Sequence, residues 1–211
     1  TLITLDDFTP FEIDKMLCDA LNLIQAPAEI SQLVQDLSGG SFFWVKEIMH
    51  FLQEHGRDEF LSAISLVEGV DGQLLVVCRF EKLTMEVQHV LRTASIIGVQ
   101  FNASLLYGVL PTYLQNEIQL YIDALLRQKW IYQDVDDEAV FLFTHPYAHK
   151  IIYDLTPSSD RSGIHQIIAD YIEHMNDDDP SQYPVLCRHN AHCNPDKAFL
   201  YTYKAITHLL D

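Results

Sequence analysis

The chain has 211 residues, with 30 Asp and Glu against 13 Lys and Arg, for a formal net charge of −17. Such a charge is repelled by phosphate backbones and anionic lipid alike, which argues against a nucleic-acid or membrane partner. There is no apolar run of the roughly 18 residues a membrane span needs and no basic leader, and Cys18, Cys78, Cys187 and Cys193 are scattered without CxxC spacing, so a folded cytoplasmic protein with reduced thiols is expected.

Residues Leu2 to Leu5 alternate weakly, as a short strand would. A helix start follows: Thr9 as N-cap, Pro10 at the first helical position, Glu12 closing a capping box, with Phe8 and Ile13 placed for a hydrophobic staple. Ile13, Met16, Leu17, Ala20 and Leu21 fill one face of that helix. A second helix runs from about Pro27 to Leu37, with Ile30, Leu33, Val34 and Leu37 inward, and Ser38-Gly39-Gly40 stops it. Ser41 caps a third, which carries Trp44, Val45, Ile48, Met49 and Leu52 and ends near Gly56. Residues 6 to 56 read as a small helical bundle, and Arg57 to Asp71 as a linker.

The run Leu74 to Cys78, LLVVC, fits a strand by propensity and a buried helix equally well. Thr84 caps the next helix, with Val87, Val90, Leu91, Ala94 and Ile97 on one face and Gly98 at its end. Asn102 caps a short helix to Leu110. A longer helix after Pro111 points Leu114, Ile118, Tyr121, Ile122 and Leu125 inward. Trp130 to Val135 and Ala139 to Phe143 then read as two strands around an acidic turn of Asp136, Asp137 and Glu138. From Pro146 the period turns helical, through Tyr147, Ile151, Ile152 and Leu155. Helices followed by a hairpin wing is the winged-helix order. After Pro157 come a helix striped by Ile164, Ile167, Ile168, Tyr171 and Ile172, a polar loop NDDDP at 176 to 180, and helices near 181 to 193 and 195 to 210. Consecutive helices of this kind suggest a helical repeat array. The fold class expected is mostly α, with one β-hairpin. The chain lacks an initiator Met and stops inside a helical pattern, so a fragment of a longer protein is expected.

Several segments resemble the signalling ATPases of the STAND class, the AAA-like modules of soluble-type adenylyl cyclases and related large regulators. SGGSFFWVKEIM at 38 to 49 is similar to the family's SGGNPFFVEEL segment. RFEKLTMEVQHVLRTASIIGVQF at 79 to 101, FTHPYAHKIIYDL at 143 to 155, the segment around His165, and LCRHNAHCNPDKAFLYTYKA at 186 to 205 resemble further family segments in the same order. The resemblance implies residues 1–5 as the last strand of an NTPase core, 6–56 as a helical lid, 72–156 as a winged helix and 157–211 as the start of TPR-like repeats. It also implies that Leu74 to Arg79 is helical. The implied function is regulatory: relaying the nucleotide state of the chain's own NTPase core to an effector domain, in relatives often a nucleotide cyclase, with protein partners on the repeats. ATP or ADP with Mg would be held by the full-length protein. Ser41-Phe42 stands where the family has Asn-Pro, so Phe42 either stacks on the adenine or is core. His145 matches a winged-helix histidine that can reach the ADP phosphate; an imidazole can donate such a bond, and the alternative is a helix-start histidine that bonds local backbone.

Residue chemistry bounds the function further. No Gly-Lys pair occurs, so the chain has no phosphate-binding loop and is expected not to hydrolyse ATP by itself. Cys187, His189, His192 and Cys193 spread around a helix axis and are not expected to converge on zinc. The pairs Asp6-Asp7 and Asp177 to Asp179 read as solvated loops. The helix before the wing carries Glu117, Asp123, Arg127 and Lys129, and the wing carries Asp134, Asp136, Asp137 and Glu138 without a cation, so DNA binding is not expected. The alternative function is a protein-interaction scaffold with no nucleotide linkage.

Overall fold

In a computed structural model the described residues are 7–65, 73–175 and 178–210. The expected strand at 2–5, Asp6, Asp177 and the linker residues 66–71 lie outside them. The chain divides into two compact units, Thr1–Leu83 and Thr84–Asp211. Among the described residues it is mostly helical, with one small antiparallel sheet. No described helix is long and apolar enough to cross a membrane.

The first unit contains α1 (Pro10–Leu21), α2 (Ala28–Ser38), α3 (Phe42–Ser65) and α4 (Gln73–Glu81). The capping box forms: the Glu12 N–H donates to Thr9 Oγ1 at 3.4 Å, and the Thr9 N–H donates to Glu12 Oε2 at 2.9 Å. The Thr9 N–H first, and then the Thr9 hydroxyl, which donates to the same oxygen at 2.8 Å, hold the exposed Glu12 carboxyl below its usual range. Gly39 takes left-handed φ of 55° as the C-cap of α2, and its N–H reaches Gln35 O. Gly40 has φ of 81°, and its carbonyl accepts from the Phe8 N–H at 2.8 Å. A Cβ at Gly40 would lie 2.8 Å from Phe8 O, so the close approach of these two strands of chain requires glycine. The core gathers Ile13, Leu17, Ile30, Val34, Val45, Ile48, Phe51, Leu52 and Phe60.

Two features of this unit differ from the sequence reading. Gly56 leaves helical geometry (φ 78°, ψ 175°) as expected of a stop, yet Arg57 to Ser65, read as linker, resumes the helix. Phe60 is fully buried in the core, which explains why that turn stays folded. In addition α4, assigned to the winged-helix segment, belongs to the first unit. Leu75 joins its core, and Arg79 pairs with the buried Glu47. LLVVC is therefore helix, the form implied by the family resemblance.

The second unit contains α5 (Met85–Ile97), β1 (Gln100–Asn102), α6 (Ala103–Val109), α7 (Thr112–Gln115), α8 (Ile118–Arg127), β2 (Ile131–Gln133), β3 (Val140–Phe143), α9 (Pro146–Leu155), α10 (Ser158–Met175), a 3-10 turn (Pro180–Gln182), α11 (Tyr183–Asn190) and α12 (Pro195–Leu210). The helix expected after Pro111 is two pieces, α7 and α8. The expected hairpin is β2 and β3, paired with Tyr132 opposite Leu142. Its turn is held by aspartates: Asp134 Oδ1 accepts from Asp136 N and Asp137 Oδ1 from Ala139 N. The sheet has a third strand that was not expected. β1 pairs antiparallel with β3, Phe101 opposite Phe141, giving the order β1-β3-β2. Three residues between a helix stop and an N-cap carry no periodicity; only the partner strand makes them β.

Candidate functional site

The strongest cluster of polar chemistry lies in the second unit, where the end of α5 meets α9, α10 and α11. His149 and Tyr153 sit one turn apart on α9 and so share a face. His165 projects from α10, Arg188 and His189 from α11, and His192 from the turn after it. His165 is 2% exposed and His189 0%. Buried imidazoles need partners, and both have them.

The last carbonyls of α5 have no partner within their own helix. The structure gives two of them cationic or N–H donors. His149 Nε2 donates to Ser95 O at 2.8 Å, and Arg188 Nη2 donates to Ile97 O at 2.5 Å. Positive charge at a helix C-terminus is favourable. Gly98 follows directly, and a Cβ there would come within 3.4 Å of Arg188 Nη1, so the glycine leaves room for the guanidinium.

Arginine has donors only, and this assigns every proton along the buried histidine chain. Arg188 Nη2 lies 3.1 Å from His189 Nε2, which must accept. The neutral His189 then carries its proton on Nδ1 and donates to His165 Nδ1 at 2.8 Å. His165 in turn carries its proton on Nε2 and donates to Tyr153 Oη at 3.2 Å. The direction runs from Arg188 to Tyr153 without a break. Burial pulls His165 down to about 4 and His189 to about 3; the charges of His192 and Arg188 respectively add to the effect. His149 is lowered by burial, in part offset by the Ser95 carbonyl. His192 stacks on His165, with ring centroids 4.2 Å apart and planes 12° apart. Beside these groups opens a cavity of about 260 Å³, lined among others by His149, Lys150, Tyr153, His165, Arg188 and His192.

The residues singled out for a nucleotide contact fall in different units. Ser41 precedes α3, and its carbonyl accepts from Val45 N at 2.9 Å. Phe42 is 60% exposed, so it is not core; its ring lies 5.7 Å from that of Phe8, and Lys46 Nζ sits 5.9 Å from its centroid. His145 is the N-cap of α9, where its Nδ1 accepts from Tyr147 N at 3.2 Å and its ring stacks on Tyr147. A neutral ring bonded in this way carries its proton on Nε2. The Cys187 to Cys193 group does not converge: Cys187 Sγ meets Thr202 Oγ1, Cys193 Sγ donates to His189 O, and His189 is bound to His165. Among the described residues no group of three or more His, Cys, Asp or Glu is placed to hold a metal ion.

In the sequence His165 and His189 fall in separate repeat-like motifs with nothing that joins them. The signal was present in a limited form. His165 interrupts the apolar stripe of α10 at a buried position, while Ile167 of that stripe is half exposed. No protein-family model matches this sequence, and no curated protein matches it significantly.

Proposed function

We propose that this chain is the lid, winged-helix and first-repeat part of a STAND-type ATPase module, a regulatory segment that relays the nucleotide state of a P-loop core to an effector domain such as a nucleotide cyclase. The observation that carries the reading is the order of elements from Met85 to Phe143: a helix, a short strand, three further helical segments, then a hairpin whose second strand also pairs with the first strand. Two family-like segments fall at joints of the fold, SGG at the stop of α2 and His145 at the step from β3 into α9. The wing tip presents carboxylates and an exposed Val135 rather than cations, which fits a protein surface better than a phosphate backbone. On α12, Phe199, Tyr203, Ile206 and Leu209 are exposed at helical spacing, the face that a further repeat helix would cover.

The test uses the protein that carries the P-loop core. His145→Ala should weaken ADP retention and raise basal output while the fold is kept. If the variant keeps its ADP and its basal output but melts at lower temperature, His145 serves only its helix start. The exposed face of α12 would then favour the second reading, an interaction scaffold that binds partners without nucleotide. The 211-residue chain alone should show no ATPase or cyclase turnover.

A further inference from the structure

The geometry points to a small-oxyanion site in the cavity beside α5, α9, α10 and α11, in which Arg188 and the Tyr153 hydroxyl bind a phosphate or carboxylate group. Tyr153 Oη accepts from His165, so its own proton is left to donate, and no acceptor for it occurs among the described residues. Arg188 spends only Nη2 on the protein, on Ile97 O and His189 Nε2. Its Nε and Nη1 make no hydrogen bond among the described residues, and no carboxylate there pairs with it. In a chain with 30 acidic and 13 basic residues, an arginine without a carboxylate is conspicuous.

The surrounding charges agree. Lys150 lines the same cavity, and Arg161 packs over the Tyr153 ring at 4.6 Å. One carboxylate answers both: Asp154 pairs with Lys150 through Oδ2 at 3.2 Å and with Arg161 through Oδ1 at 3.4 Å. The neighbourhood therefore keeps positive charge in excess even with the buried imidazoles neutral. Tyr153 and Arg188 both line the cavity; unspent N–H and O–H donors there call for an acceptor, and an anionic acceptor also repays the desolvation of the guanidinium. His149 offers Nδ1 of its neutral ring toward the same neighbourhood as an acceptor, and that nitrogen becomes a donor when the ring is protonated. A cavity of about 260 Å³ has room for a phosphate or carboxylate group. The site does not depend on the ATPase reading, since it uses neither the wing nor His145.

Isothermal titration of the 211-residue chain with sodium phosphate and, separately, sodium acetate is the test, with sodium chloride at matched ionic strength as reference. Saturable binding of one oxyanion is expected, and the tighter of the two identifies the phosphate or the carboxylate class. Tyr153→Phe keeps the ring and removes one donor, so affinity should fall about tenfold, the loss of one hydrogen bond to a charged group. Arg188→Gln should abolish binding, and Arg188→Lys should restore part of it. Should Arg188→Gln fail to fold, Tyr153→Phe carries the test alone. No binding of either anion beyond the chloride reference, or equal affinity in wild type and Tyr153→Phe, overturns the site.

Discussion

Acidification is expected to destabilise the second unit through His165 and His189, and the size of the effect follows from their burial. Both rings are held below the ordinary value of 6.5, at about 4 and about 3, with burial the first cause. A histidine kept neutral in the fold protonates earlier in the unfolded chain. Its contribution to stability is therefore whole above 6.5 and is lost as pH falls through the window from 6.5 to the folded value. Each pH unit in the window costs about 1.4 kcal/mol per ring. Between 6.5 and about pH 5 each ring loses about 2 kcal/mol, and the pair at most about 4 kcal/mol, a large part of the roughly 5–15 kcal/mol that holds a domain. The chain has two Trp residues, and only Trp130, 1% exposed, lies in the second unit. In a Trp44→Phe background, urea unfolding followed by Trp130 fluorescence at about pH 7, 6 and 5 reads that unit alone. His89 and His149, also lowered by burial, add slope of the same sign, so the decisive quantity is a difference. His189→Gln should shed about 1.4 kcal/mol per pH unit of the slope. An unfolding free energy that is flat from pH 7 to 5, or a slope unchanged in His189→Gln, refutes the reasoning.

Three further outcomes are expected. Gly40→Ala should destabilise the first unit by about 1–3 kcal/mol, read by Trp44 fluorescence, because its φ of 81° and the 2.8 Å approach to Phe8 O both resist a Cβ. Arg79→Met leaves the buried Glu47 carboxylate without its cation and should cost about 3–5 kcal/mol by urea titration, while Arg79→Met with Glu47→Met should recover most of it. A low-salt anisotropy titration with duplex DNA should stay flat, since the wing offers Asp134, Asp136, Asp137 and Glu138 and no cation; salt-sensitive binding at micromolar protein would reverse the functional reading.

What the sequence determined by itself is the local part. The Thr9 capping box, the Thr84 and Asn102 caps, the Gly39 stop and the core faces of α1, α2 and α5 were legible because each depends on residues within a turn or two of one another. Tertiary structure decided the rest. β1 exists because Gln100 to Asn102 meet β3 some forty residues on. The helix continues through Arg57 to Ser65 because Phe60 finds the core, and α4 joins the first unit because Arg79 finds Glu47. The candidate site is the extreme case: Arg188, His189, His165 and Tyr153 come from three helices, and the proton order among them follows from one donor-only guanidinium. Hydrogen bonds between helices leave no periodicity in the chain, so a sequence can place the histidines on their helices but cannot say that they touch.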